Sequence, residues 1–391
     1  MKKKLLSLLS VMVVLTIAAV IIIKLTAQES DRKTSQKDDK INVITTFYPI
    51  YMIGLNLADQ IENLEVTSLT ELDTGCLHDY QLTTQDMKLI AAADIMVING
   101  GGMESFLEDI IENYPKLTII DASKDIPMLH NDTEEHERAD EEHNEESEGA
   151  DEKHTEDSEG ADEEPDEESE GADEKHSEEP EGADEEHDHE HHEHQEHNHG
   201  EYNSHVWLNP ILYTKQIENI RDGLISYINS NNSFTAQDSK ELVQEIDDNA
   251  DTYIQKVAAL DSELEASIPI FAQSSDQKIY DEQVVIFHES FAYLADRIGM
   301  KVAFTVPLDS DTALSAGEIA EIIDEVKLRN IKYLFTEEQY SDSIAKQIEA
   351  ETNAKVYIID SVVTGEGNLD SYLESMKKNM EILQEAMDYD K

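Results

Sequence analysis

The chain has 391 residues, enough for two domains of ordinary size, and its formal net charge is -59. Such an acidic protein repels nucleic acid and anionic lipid and attracts cations, so the composition excludes nucleic-acid binding and favours metal ions as ligands. A single cysteine, Cys76, excludes an internal disulfide and a cysteine-based zinc knuckle. Cys76 itself is predicted to be a small, half-buried side chain rather than a reactive thiol.

The N-terminus predicts export. Three lysines at residues 2–4 precede 19 uncharged, mainly apolar residues, and Lys24 follows them. This pattern is typical of a signal peptide or an uncleaved membrane anchor over residues 1–27. No cysteine follows the apolar run, so we expect no lipoprotein anchor. The remainder should lie at the extracytoplasmic face of the cell membrane, anchored by this segment or released from it.

The next part of the chain has the pattern of an α/β lobe, predicted over residues 41–130 and 201–210. Short β-rich runs alternate with helix-length stretches, as in parallel sheets that helices cover on both faces. The predicted strands are INVITTF (41–47), EVTSLT (65–70), DIMVI (94–98) and LTIID (117–121).

Residues 131–200 are predicted to be a disordered, acidic insert in this lobe. Residues 132–201 carry 35 acidic and 3 basic side chains. The tetrapeptide Ala-Asp-Glu-(Glu/Lys) recurs every 11 residues from Ala139 to Ala183, without the apolar stripe that a supercoiled helix of this period requires. Like charges together with recurrent Gly, Ser and Pro favour disorder.

Residues 211–265 lack strand character and predict helices that connect two lobes. In the second part of this join, apolar side chains fall at helical spacing while Asp and Glu cover the other face. This pattern predicts a long connecting helix. Its apolar residues are Leu242, Ile246, Tyr253, Ile254, Val257, Leu260 and Leu264.

Residues 280–391 repeat the alternation and predict a second α/β lobe. Helices are expected over residues 289–299 and 315–329, the latter opened by Ser315 and Glu318 at capping-box spacing. The predicted fold class is therefore α/β, with two parallel-sheet lobes, a long connecting helix and a cleft between the lobes. The four strands expected here are QVVIF (283–287), KVAFT (301–305), KYLFT (332–336) and KVYII (355–359).

Twelve of the 15 histidines lie between His130 and His199, which leaves His78, His205 and His288 elsewhere. In open α/β sheets, ligands bind beyond the carboxyl ends of strands. His288 and Asp360 directly follow predicted strands, His78 lies eight residues beyond one, and His205 returns the chain from the insert. Three imidazoles and one carboxylate form a four-coordinate set suited to zinc, so these four residues are the predicted metal ligands.

The motifs around these residues carry a resemblance to a known family. GCLHDYQLTTQDMKLIAAADIMVINGGGMESF (75–106), HVWLNP (205–210), FHESFAYLADRIG (287–299) and FTEEQYS (335–341) resemble substrate-binding proteins of zinc and manganese ABC transporters, with the zinc-uptake branch the most similar. The likeness covers the chain outside residues 1–40 and the insert.

The resemblance implies two α/β lobes joined by a long helix, with the metal in the cleft. His78, His205 and His288 match the three family histidines, and Asp360 matches the late carboxylate. It also implies an extracytoplasmic, high-affinity zinc-binding protein that delivers the ion to the membrane permease of an ABC transporter and that is expected to be a monomer.

Two departures bear on the choice of metal. Some zinc members carry glutamate immediately before the first histidine, where this chain has Leu77. Manganese-type members tend to place a glutamate in the strand after the third histidine, where this chain has Val306 and Pro307. Imidazoles suit Zn²⁺ better than Mn²⁺, so zinc is predicted and a manganese-binding member of the family is the alternative.

Two other functions fit the sequence less well. A mononuclear zinc hydrolase lacks a His-Glu-x-x-His helix and a recognisable general base, so we predict that the protein is not an enzyme. An extracellular metal buffer or adhesin leaves two patterned lobes unexplained. Residues 100–102, all glycine, are predicted to turn the chain after a strand rather than to bind phosphate, and Glu337 is either an alternative carboxylate or a helix cap.

The histidines of the insert suggest an auxiliary role. Dense imidazoles on an anionic chain predict weak binding of several zinc ions near the cleft, although a solvated acidic spacer is the simpler alternative. The candidate auxiliary ligands are His187, His189, His191, His192, His194, His197 and His199.

Overall fold

A computed structural model describes residues 40–78, 80–131, 202–267, 282–306, 314–337 and 343–388. By its internal contacts the chain divides into two units, Met1–Asn131 with His199–Lys391, and Asp132–Asn198. The N-terminal segment predicted over residues 1–27 and the insert beyond Asn131 lie outside the described residues, as do the seven candidate auxiliary histidines.

The first lobe is built on a parallel sheet with the strand order β2-β1-β3-β4. Its apolar strands are short and mostly buried, because helices pack against the sheet. The strands are β1 (Ile41–Thr45), β2 (Leu64–Ser68), β3 (Ile95–Ile98) and β4 (Thr118–Asp121), and the helices are α1 (Tyr48–Leu57), α2 (Thr84–Ala92) and α3 (Leu107–Asn113).

The second lobe repeats this topology with the order β6-β5-β7-β8, again entirely parallel. The helix Ala316–Leu328 begins with the capping box that the sequence predicts. In it, the Ser315 and Glu318 side chains each accept the backbone N–H of the other residue. The strands are β5 (Gln283–Ile286), β6 (Lys301–Thr305), β7 (Tyr333–Thr336) and β8 (Lys355–Ile358), and the helices are α6 (Ala292–Ile298), α7 (Ala316–Leu328), α8 (Ser343–Glu351) and α9 (Ser371–Asp388).

Both sheets reverse their chain order in the middle. The first strand of each lobe lies between the second and third, so the loops after β1 and β3, and those after β5 and β7, leave in opposite directions. Such a switch point opens a crevice at the carboxyl ends of the strands, where α/β proteins bind ligands.

The predicted α/β fold class is confirmed, with differences at element ends. Phe47 and Phe287, expected within strands, lie just beyond β1 and β5, although the Phe287 amide still donates to the Phe335 carbonyl at 2.9 Å. The helix expected over residues 289–299 begins as a 3-10 turn, Glu289–Phe291, before α6. Helix ends often tighten in this way.

Two helices connect the lobes, α4 (Pro210–Ser230) and α5 (Ala236–Ser267). The predicted apolar stripe of α5 faces the core, although Ile254 is only partly buried. Ala250, which was not predicted, is also buried in this stripe. Helix α5 contacts α1 of the first lobe and α9 of the second. One long helix therefore packs against both lobes, as expected of a connecting helix.

One apolar core extends through both lobes, and a second, smaller cluster lies within the second lobe. At their junction the Trp207 indole nitrogen donates to the Ser361 carbonyl at 2.9 Å, and the Tyr372 hydroxyl donates to the Trp207 carbonyl at 2.8 Å. None of the described helices is long and apolar enough to cross a membrane.

Candidate metal centre

His205 is a buried histidine whose tautomer is fixed by Asn203. The Asn203 side-chain oxygen accepts the His205 backbone N–H at 3.0 Å and lies 3.0 Å from His205 Nδ1, while Asn203 Nδ2 donates to the Glu289 carbonyl at 2.8 Å. Because that oxygen can only accept, Nδ1 of His205 carries the proton. The lone pair on Nε2 is then available to a metal.

Two other side chains of types that can bind metals lie close to this Nε2 atom. His78 Nε2 lies 3.2 Å from it, and Cys76 Sγ lies 3.4 Å from it. Within the described part of the chain, these three residues form the one group of His, Cys, Asp or Glu whose ligand atoms all lie within 4.8 Å of one another. His78 and Cys76 come from the loop after β2, and His205 precedes the 3-10 turn Val206–Leu208.

His288 adds the third imidazole from the second lobe. Its ring centre lies 5.0 Å from that of His205 and 6.4 Å from that of His78. It follows β5 and is almost fully buried. The structure thus brings together the three histidines that the sequence singled out, with two contributed by one lobe and one by the other.

The Glu337 carboxylate lies next to Nδ1 of His288. Both side chains are buried, and Glu337 Oε1 lies 3.3 Å from His288 Nδ1 and accepts the Ser290 hydroxyl at 2.9 Å. The Ser290 backbone N–H also points to His288 Nδ1, at 3.1 Å. That bond requires an unprotonated Nδ1. In the other tautomer, Nδ1 donates to Glu337 instead and Nε2 is left unprotonated for a metal. Glu337 is therefore placed to orient His288.

Asp360 does not join the group of ligand atoms defined by Cys76, His78 and His205. Its Oδ1 accepts the Val362 backbone N–H at 2.7 Å, and its backbone pairs with the Asn379 side chain. Val362 has φ of +57°, a strained conformation for a β-branched residue, and Asp360 supports that turn. Its predicted role as a ligand remains a prediction.

The spacing of the nitrogen and sulfur atoms suits one metal ion. With Zn–N distances near 2.05 Å and Zn–S near 2.3 Å, tetrahedral geometry separates two nitrogens by about 3.3 Å and a nitrogen from a sulfur by about 3.6 Å. The observed separations of 3.2 and 3.4 Å are close to these values. These two separations therefore fit a tetrahedral ion shared by Cys76, His78 and His205.

Sequence reasoning missed the position of Cys76 beside this group, although its half-burial was predicted. The spacing Cys-x-His could have predicted that Cys76 lies beside His78, because residues i and i+2 of an extended segment point to the same side. Leu77 between them is fully buried, which explains an apolar residue there.

A second polar cluster lies at the switch point of the first lobe. Buried Glu104 accepts hydrogen bonds from the Thr46 hydroxyl at 2.8 Å, the Asn99 amide at 2.7 Å and the Gly100 amide at 3.1 Å. Burial raises the pKa of Glu104 to about 7, against the lowering effect of these bonds. Gly100, Gly101 and Gly102 all have positive φ and turn the chain after β3, in agreement with the prediction.

Comparison with known proteins identifies the family. A family model described as "Zinc-uptake complex component A periplasmic" (ZnuA) matches residues 43–386. The chain belongs to the ZnuA family. The resemblance inferred from the histidine motifs is thereby confirmed.

Curated relatives of this ZnuA-family chain carry zinc in their names. The zinc-binding lipoprotein AdcA of Streptococcus pneumoniae serotype 4 is 26% identical over 362 residues, which cover 90% of this chain and 57% of that protein. The high-affinity zinc uptake system protein ZnuA of Bacillus subtilis is 23% identical over 357 residues, which cover 90% of this chain and 89% of that protein. The chain thus spans well under two thirds of the AdcA relatives and most of the B. subtilis protein.

Solved structures share the fold of this ZnuA-family chain. Zn(II)-bound AdcA from S. pneumoniae superposes with a TM-score of 0.59 at 22% identity, covering 89% of this chain and 58% of that one. The substrate-binding protein FpvC of Pseudomonas aeruginosa in complex with Mn²⁺ superposes with a TM-score of 0.61 at 18% identity, covering 90% of this chain and 100% of that one. At these identities the likeness establishes the two-lobed fold.

Proposed function

We propose that this protein captures one zinc ion outside the cytoplasm and delivers it to the membrane permease of an ABC transporter. The observation that carries the proposal is the meeting of His78, His205 and His288 between the lobes, with the Nε2 atoms of His78 and His205 only 3.2 Å apart. These two nitrogens are within hydrogen-bond distance, and 3.2 Å is also close to the separation of two nitrogens bound to one tetrahedral zinc ion.

Zinc is the metal that these ligands favour. Imidazole binds Zn²⁺ well, whereas a Mn²⁺ site is richer in carboxylate and water oxygens. The family description and the names of AdcA and B. subtilis ZnuA refer to zinc. Asp360 remains the predicted carboxylate for the fourth position, and Glu337 has the geometry of a partner that orients His288.

Capture and delivery explain the position of the ligands. A site formed from two lobes can bind an ion as the lobes meet and release it as they part. The word "periplasmic" in the family description and the "uptake system" in the name of the B. subtilis relative support a role outside the cytoplasm, next to a transporter. We propose that the protein acts as a monomer and has no catalytic activity, since the family model is that of an uptake component.

We also propose that the histidine tract of residues 187–199 binds further zinc ions weakly. The support is chemical: seven imidazoles within 13 residues of an acidic sequence form many low-affinity ligand sets. Such a tract raises the zinc concentration near the cleft without being part of its tight site.

Metal content before and after deletion of residues 132–200 separates the two kinds of site. Leu129 and Asn203 are joined by a backbone hydrogen bond of 2.8 Å, and His130 pairs with Tyr202, so a short Gly-Ser linker can close the deletion. We expect the deleted protein to retain one tightly bound zinc and the full chain to bind several more. An unchanged stoichiometry would refute the tract's role.

In the deleted background, replacement of His78, His205 and His288 by alanine should abolish tight zinc binding, as measured by elemental analysis after gel filtration. The matched control is His130→Ala, because His130 is exposed and outside the cluster. Equal zinc in the triple variant and the control would refute the proposed function.

A further inference from the structure

We propose that Cys76 is a metal ligand of the cleft site and a determinant of its preference for zinc. This inference rests on the proposed function and concerns the fourth position, which the sequence assigns to Asp360. Cys76 Sγ lies 3.4 Å from His205 Nε2 and forms one group of ligand atoms with His78 and His205. His288 and Asp360 both lie outside that group, and the His288 ring centre is 5.0 Å from that of His205.

The separations around His205 Nε2 match a common tetrahedral ion at both contacts. The distances from His205 Nε2 of 3.2 Å to nitrogen and 3.4 Å to sulfur each fall within about 0.2 Å of the values for zinc bound by imidazole and thiolate. Without a metal, this 3.4 Å contact is a hydrogen bond from the Cys76 thiol to the unprotonated Nε2 of His205, so the sulfur lies where a metal can replace the shared proton. Membership of a zinc-uptake family is an independent reason to expect a metal here.

The resulting ligand set consists of three imidazoles and one thiolate. On binding, the Cys76 thiol loses its proton to solvent and the sulfur donates an electron pair to the metal, with no change in oxidation state. Thiolate is a soft ligand that favours Zn²⁺ over Mn²⁺. Cys76 therefore gives this chain a chemical reason to discriminate between the two metals.

The carboxylate of Asp360 has another task in the structure. Its Oδ1 holds the backbone amide of Val362, which is fully buried and has a strained positive φ. Cys76 can approach the same ion as His78 and His205 because it lies on the same loop as His78.

The test uses Co²⁺ as a spectroscopic substitute for zinc in the full chain. Thiolate bound to Co²⁺ produces an intense near-ultraviolet charge-transfer absorption that imidazole and carboxylate do not. Because Cys76 is the only cysteine in the 391 residues, the band reports on this residue even when the histidine tract also binds cobalt. We expect the band to saturate at one equivalent and to disappear in Cys76→Ser.

A second readout requires no variant of Cys76. Zinc at one equivalent should slow alkylation of the thiol by iodoacetamide at least tenfold, followed by mass spectrometry of the intact chain. Cys76→Ser should bind zinc at least about tenfold more weakly, because even loss of a residue that only supports a metal ligand costs about tenfold in affinity. The ratio of zinc to manganese affinity should also fall in this variant. Thr74→Ala, an exposed change on the same loop, should leave all three readouts unaltered.

Two results overturn the inference in different ways. If the full chain binds one tight Co²⁺ without the charge-transfer band, and zinc does not slow alkylation, Cys76 is not a ligand while the proposed function stands. If no tight site is found and the triple histidine variant matches the wild type, the proposed function fails and the role of Cys76 fails with it.

Discussion

Asn203 selects which nitrogen of His205 faces the cleft. Its side-chain oxygen accepts from both the amide and the ring of His205, and its side-chain nitrogen donates to the carbonyl of Glu289 in the other lobe. Without this oxygen the ring is no longer held in one tautomer. We expect Asn203→Ala to weaken zinc binding by about 10–100-fold in a competition assay with a chelator.

The conservative control is Asn203→Asp, which retains an acceptor for His205 Nδ1 while losing the donor to Glu289. It should bind zinc more tightly than the alanine variant. Equal affinities for the wild type and Asn203→Ala would contradict the role given to Asn203.

Glu104 makes stability depend on pH. Burial raises its pKa from 4.5 to about 7, so between these values the folded protein binds more protons than the unfolded chain. The free energy of unfolding therefore falls as the pH rises from about 4.5 to 7, by about 3 kcal/mol at most from this group.

Glu104→Gln should remove the part of the unfolding free energy that depends on titration of Glu104. The side-chain NH2 of glutamine cannot accept the Gly100 N–H, so the substitution also lowers stability at every pH. Urea unfolding at pH 5 and pH 8, with a chelator present, measures the effect. We expect the wild type to lose more stability than the variant between the two pH values, and equal losses would show that Glu104 does not titrate in this range.

At the scale of the elements, α5 is stabilised by its apolar stripe. Leu260 is 3% exposed within that stripe, whereas Leu328 at the end of α7 is 79% exposed. We expect Leu260→Ala to lower the free energy of unfolding by about 2–5 kcal/mol, because it removes buried apolar atoms and leaves a cavity. The same substitution at Leu328 should change it by no more than about 0.5 kcal/mol. Similar effects of the two substitutions on urea unfolding would contradict this view of α5.

Local pattern was enough to locate the strands and some of the helices. Short β-rich runs predicted all eight strands, most clearly β3 and β7, whose continuous apolar residues are buried on both faces. The Ser315 and Glu318 pair predicted the start of α7, because both partners of a capping box lie within four residues. Phe47 and Phe287 were placed in strands because an apolar residue after a strand has the same pattern as one inside it.

Contacts between distant elements could not be read in this way. Glu337 meets His288 because β5 and β7 are neighbours in parallel register, which places the residues after both strands at one switch point. Cys76 meets His205 across 129 positions of sequence. The strand-end rule predicted that the three histidines converge, but it contains no information on side-chain direction.

At the scale of the whole molecule, the lobes are joined by buried polar contacts as well as by α4 and α5. Tyr213 of α4 stacks on Tyr372 of α9 with ring centres 3.8 Å apart, and Tyr372 donates to the carbonyl of Trp207. Trp207 in turn follows His205 by two residues and contacts Ser361 in the second lobe. The metal ligands therefore lie beside the contacts that set the relation of the two lobes.

A crystal structure of the zinc-loaded protein, with anomalous diffraction recorded at the zinc absorption edge, would locate the bound ion relative to the three histidines. We expect one strong anomalous peak about 2.0–2.1 Å from a ring nitrogen of each of His78, His205 and His288. A cleft without a peak, in crystals of protein that binds zinc in solution, would contradict the assignment of these three histidines.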